Sequence, residues 1–264
     1  MTKELGFFSE IALGLIGFEM ESHLHIDELL SEGRTILLIL IGEALGAFFL
    51  VARGVYLLTG SDYTSLVFGA LATATAPAST VDVLAEYRAK GPLTTTLLAV
   101  VGLDDAIALL LFSLTSTIAA FLLSGSEHIS WLEIIKLPFR EIIGAVVIGI
   151  IFGIIMHWIL ERQKKKEHAL CAFIVGMIFL AAGMANSISS SLILTTMTMG
   201  IVLANFRVDN SQYAQCVVER VGPLIYILFF VLMGARLQIA LIPQMGLLGL
   251  VYILLRSIGK FSGA

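Results

Sequence analysis

Charge is what this 264-residue sequence has least of: 14% of its residues are charged, against 58% hydrophobic. A water-soluble domain of this length could not cover so much apolar surface with so few charges, which excludes an ordinary soluble fold. The net charge of −4 carries no signal for nucleic acid or an anionic surface. Two cysteines, Cys171 and Cys216, lie too far apart to form a metal or redox spacing, so neither chemistry is expected and no cofactor is implied. Nor is there a basic leader with a small-residue cleavage site; the N-terminus runs directly into an apolar stretch.

What the sequence has in quantity is apolar runs of near-spanning length. Nine can be marked, at about 5–21, 35–58, 64–86, 93–123, 139–160, 169–186, 189–205, 221–240 and 245–264. They predict an all-α integral membrane protein, read as a single membrane domain over 1–264 with no soluble domain. The first run opens almost at Met1 and the last is cut at Ala264, so the chain is expected to be a fragment. Alternate connections hold nearly all the loop cations: Arg34, then Arg88 and Lys90, then Arg162 and Lys164 to Lys166, then Arg207 and Arg220. The opposite set offers only Lys136, with Arg140 just inside the next run. By the positive-inside rule the basic side is cytoplasmic, which puts the N-terminus outside a cell membrane. "ERQKKKEH", 161–168, is therefore read as a topology signal, and 206–224 as a short linker or loop with an amphipathic stretch.

Polar chemistry at membrane depth is concentrated in two places. "ATATAPAST", 72–80, sets Pro77 among Thr73, Thr75, Ser79 and Thr80. Proline lacks a donor and clashes with the preceding turn, so the helix should unwind there. Broken backbone at this depth is tolerated only inside protein or against a wet cavity, and its free carbonyls can meet an ion. The next run carries Asp104 and Asp105 in "GLDDA"; Asp104 is 11 residues from Leu93, or about 16 Å along a helix. Carboxylates in hydrocarbon cost a few kcal/mol or more each, and where they occur they mark ion or proton paths. Adjacent helix positions point about 100° apart, so the two can address different partners. A counter-charge is available in Lys260, inside the last run. Arg256 lies one turn before it and either lines the pathway, snorkels or pairs elsewhere. Glu43 is deep and faces the bundle interior or a funnel, and Asp82 lies on the approach from the cytoplasm. Glu10, Glu19 and His157 read as structural, and "GIIFG", 149–153, as a close-packing face.

Taken in order, "SEIALGLIGFEME" (9–21), "TATAPAST", "GLDDA", "FFVLMGARL" (229–237) and the closing "GK" (259–260) resemble the monovalent cation:proton antiporter family. The likeness is to its two-aspartate, electrogenic sodium/proton branch and covers essentially the whole chain. The resemblance implies an inverted-repeat fold with crossed, broken helices, in which a panel domain and a mobile core domain shift relative to one another. It makes Asp105 the ion and proton carrier and Asp104 the partner of Lys260, with Thr73, Thr75 and Ser79 beside the ion. Thr75 and Pro77 match the unwound motif, and Ala76 stands where another branch has an aspartate. It further implies a monovalent cation (Na⁺, with Li⁺ or K⁺ as other candidates) and protons as cargo, in a bilayer, in a protein that can form a homodimer. The second repeat is incomplete at Ala264, which leaves a non-transporting remnant as one alternative and the membrane part of a potassium-efflux/proton system as another. An intramembrane aspartyl protease is disfavoured, because both mid-membrane aspartates are adjacent on one helix and cannot straddle a peptide.

Overall fold

The computed structural model describes residues 2–21, 33–75, 83–84, 86–87, 89, 91–124, 131–162, 167–206, 208–239 and 245–264. Its long elements are all helices: α1 (Thr2–Glu21), α2 (Gly33–Thr59), α3 (Asp62–Thr73), α4 (Pro92–Ser124), α5 (Trp131–Arg162), α6 (Glu167–Ser187), α7 (Leu192–Phe206), α8 (Val208–Ala235) and α9 (Gly246–Gly263). Each overlaps one of the apolar runs marked above, although α3 ends well short of residue 86 and α8 begins well before 221. Among the described residues, five helical stretches are long and apolar enough to cross a membrane: Gly33–Thr59, Ala99–Leu123, Pro138–Arg162, Leu170–Ser187 and Gly246–Gly263. The other runs fall short for local reasons. Helix α1 carries Lys3, Glu4, Glu10, Glu19 and Glu21; α3 stops after 12 residues; α7 has only 15; and α8 begins with a polar half.

The chain divides into two compact units, residues 1–26 with 140–237 and residues 27–139 with 238–264. The first has a large apolar core drawn from every one of its helices: Leu15 and Phe18 from α1, Met156 from α5, Ile174 and Ile178 from α6, Leu203 from α7 and Val218 from α8. Glycines 149 and 153 let α5 lie directly on α7, since a Cβ on Gly153 would fall 2.8 Å from Val202. This supplies the partner of the "GIIFG" face, which the sequence leaves open. The stretch 206–224, expected to be a linker, is instead helical from Val208 onward. Its Ala214, Val217 and Val218, at helical spacing, are buried in the unit's core, so the amphipathic face docks on protein.

Two polar contacts tie α1 into this unit. The Tyr226 hydroxyl of α8 donates to Glu19 Oε2, and Asn186 Nδ2 of α6 donates to Glu10 Oε2 at 3.4 Å. Tyr226→Phe removes one charge-assisted bond while keeping the ring, and should lower stability by about 1.5–3 kcal/mol. A lowered thermal midpoint in detergent, relative to the parent, checks this; no change would mean that the bond contributes nothing net.

In the second unit, Val51 and Val55 of α2 and Ala72 of α3 pack with Phe68, Leu248, Tyr252 and Leu255. The α2–α3 corner is made by Gly60, whose φ of +64° is a conformation that disfavours a side chain. The Ser61 hydroxyl then accepts from Thr64 N to start α3. The feature that matters most for the site is the seam between α2 and α9. "GEALG" (42–46) faces "GKFSG" (259–263), and a Cβ on Gly46 would lie 2.6 Å from the Gly259 carbonyl oxygen. A Cβ on Gly42 would strike Gly263, and one on Gly263 would strike Gly42. The two backbones therefore touch over a full helical turn, as small residues four apart allow.

Candidate functional site

The site is assembled from four helices of the second unit. Because Glu43 follows Gly42 and Lys260 follows Gly259, the glycine seam delivers the two charged side chains to the same place. Lys260 Nζ lies 2.6 Å from Glu43 Oε1. It also donates to Asp104 Oδ2 of α4 at 3.0 Å and to Thr75 Oγ1. An ammonium has three N–H donors, and here each has an acceptor. The Thr75 hydroxyl in turn donates to Asp104 Oδ2, so Lys260, Thr75 and Asp104 form a closed triangle of hydrogen bonds. The side chains of Lys260 and Glu43 are 16% and 15% exposed, against 0% for Asp104.

Asp104 is thereby divided. Its Oδ2 accepts two bonds, while Oδ1 is buried and, among the described residues, has no hydrogen-bond partner. A buried carboxylate oxygen without a donor is costly unless a proton or a cation reaches it. Asp105 is half-buried on the neighbouring helix position and lies close enough to Asp104 and Lys260 to feel both charges. With every group ionised, Glu43, Asp104, Asp105 and Lys260 carry a formal charge of −2, and the adjoining Arg256 brings it to −1, still a surplus suited to a positive cargo.

Helix α3 ends at Thr73, followed by Ala74 with extended backbone (φ −62°, ψ 137°), so the regular helix is interrupted within the expected "ATATAPAST" segment. Its open end meets Arg256 of α9, whose Nε donates to the Ala72 carbonyl at 3.2 Å and whose Nη2 donates to the Ala74 carbonyl. The Thr73 hydroxyl turns back to the Ala70 carbonyl at 2.7 Å, away from the carboxylates. Thus Thr75, Asp104 and Lys260 converge, with Asp105 beside them, while Thr73 and Arg256 serve the backbone of the break. Ala76, Pro77, Ser79 and Asp82 lie outside the described residues. Glu43, read from sequence as a funnel or interior group, sits in the ion-pair cluster. The signal that finds it is the matched pair of glycine motifs, each with a charged residue directly after its first glycine.

These features agree with what the chain resembles. Residues 2–264 match the family described as "Sodium/hydrogen exchanger, transmembrane". The chain is 25% identical over 254 residues to the ammonium/H⁺ antiporter subunit AmhT of Alkalihalophilus pseudofirmus, covering 94% of this chain and 63% of that protein. Its fold matches the structure of the sodium proton antiporter MjNhaP1 from Methanocaldococcus jannaschii at pH 8, with a TM-score of 0.74 and 21% identity. That match covers 97% of this chain and 64% of the other. The chain accordingly spans less than two thirds of the length of either relative. Members of the family matched over residues 2–264 are transporters, not enzymes. The chain belongs to the sodium/hydrogen exchanger family and is a multi-pass membrane protein.

Proposed function

We propose that the protein exchanges a monovalent cation for protons, with Asp105 as the carrier and Asp104 as its tethered companion, in the manner of the two-aspartate branch. The observation that supports this most directly is the buried Oδ1 of Asp104 next to Asp105, without a hydrogen-bond partner among the described residues. A cation entering there would take ligands from Asp105 and Asp104 Oδ1, and protons would compete for the same oxygens. Two protons leaving for one cation would make transport electrogenic, and each net charge moved is worth about 2.3 kcal/mol per 100 mV. The proposed orientation, N-terminus outside the cell membrane, rests on the asymmetry of the loop cations. Homodimerisation rests on the family resemblance alone.

Sodium is the proposed cargo, and the similarity to an ammonium/H⁺ antiporter subunit puts NH₄⁺ on the list to be assayed. Neither comparison favours the potassium-efflux alternative. The test uses the natural full-length protein in proteoliposomes carrying a trapped pH dye and an imposed pH gradient. Adding NaCl should collapse the gradient, and an imposed membrane potential should change the rate. No response to Na⁺, Li⁺, K⁺ or NH₄⁺ would overturn the assignment.

A further inference from the structure

A helix that stops inside a protein leaves its last carbonyls without intrahelical donors. At the end of α3, three carbonyls have identified side-chain donors. The Ala70 oxygen receives the Thr73 hydroxyl, the Ala72 oxygen receives Arg256 Nε, and the Ala74 oxygen, just past the helix, receives Arg256 Nη2. One guanidinium from a different helix thus spans two carbonyls, and its positive charge sits at the negative end of the α3 dipole. A planar fork with several fixed donors can do this; a point-charge ammonium cannot serve both oxygens equally well. The Ala74 carbonyl shares a rigid peptide plane with the Thr75 nitrogen, so fixing one fixes where the Thr75 side chain begins. Thr75 is the residue whose hydroxyl joins Lys260 to Asp104 Oδ2.

We propose that Arg256 is a positioning residue that acts through the backbone of the break: it holds Thr75 in the Lys260–Asp104 triangle and withdraws the Ala72 and Ala74 carbonyls from the oxygens open to a cation. This rests on the proposed exchange activity for its kinetic consequence only. It also narrows the cargo's ligands, because two of the carbonyls at the interruption are already taken by a cation built into the protein.

The test has a kinetic arm and a positional arm, both in the full-length protein. Kinetically, Arg256→Gln and Thr75→Val should each raise the half-saturating Na⁺ concentration about tenfold while maximal rate stays within about threefold, the size expected for one lost charge-assisted bond. The double variant should be no worse than the worse single one, since both changes break the same linkage. Arg256→Lys should recover part of the loss. An unchanged half-saturation in Arg256→Gln, or a double variant whose defect is the product of the two, overturns the proposal. For position, Thr75→Cys is placed in a background with Cys171→Ala and Cys216→Ala, and thiol labelling is timed with and without Arg256→Gln. Labelling should quicken at least about tenfold without the arginine, a shift equal to about 1.4 kcal/mol; an unchanged rate overturns the proposal. If Arg256→Gln does not fold, Arg256→Lys is labelled in its place, with an intermediate rate expected and the parent rate overturning the proposal. Should the parent protein exchange no cation, the functional assignment fails while the labelling still decides what Arg256 does.

Discussion

Asp105→Asn is expected to abolish cation-driven proton movement in proteoliposomes. Asparagine keeps the shape of the side chain and its capacity for hydrogen bonds, but it can neither gain a proton nor offer a negative charge. A cation at this depth would then lose a countercharge worth about 3 kcal/mol or more, a penalty of at least about a hundredfold in binding. Folding should survive, because the change removes a half-buried charge and adds none. The thermal midpoint in detergent should therefore be unchanged or higher. Asp104→Asn offers the contrast. Lys260 keeps Glu43 at 2.6 Å, so the ammonium stays paired and the variant should retain more activity than Asp105→Asn. Robust Na⁺-dependent flux from Asp105→Asn would remove that residue from the carrier role.

The second large effect is structural. In Gly259→Val the first added carbon alone would fall 2.7 Å from Ala47 Cα, 2.7 Å from the Gly46 carbonyl oxygen and 2.9 Å from Ala47 N. All three are backbone atoms and cannot swing aside, so α2 and α9 must separate. Separation pulls Lys260 from Glu43 and leaves charges without partners, which for buried pairs costs about 3–5 kcal/mol. A sharp fall in thermal midpoint or in yield of folded protein is expected. Gly183→Ala is the matched control, because a Cβ there meets nothing within 4 Å; in mid-helix it should be neutral or slightly stabilising. Equal behaviour of the two variants would show that the seam does not matter to the fold.

How far the sequence could be read follows from which signals are local. The all-helical membrane fold was visible because each helix writes its own apolar run, whatever it packs against. The interruption at Thr73 was visible because Pro77 and a cluster of hydroxyls disfavour helix on their own account. Asp104, Asp105 and Lys260 stood out because a charge amid apolar neighbours is conspicuous without any knowledge of contacts. Partnership is a different kind of information. That Glu43 meets Lys260 depends on α2 touching α9, more than 200 residues apart in sequence, and the chain declares it only through two glycine pairs in register. Arg256 is harder still, since its acceptors are carbonyls, which every residue has. The stretch 206–224 reads as a linker in sequence because its polar residues outnumber the few apolar ones that face the core.

The backbone contact between α2 and α9 has a last consequence, for how Lys260 can change company. With glycine against glycine over a whole turn, the main chains of Glu43 and Lys260 are held at contact distance, so the ammonium reaches both acids from one backbone position. Shifting its weight between Glu43 and Asp104 then asks for no more than a small swing of the lysine's own four methylenes.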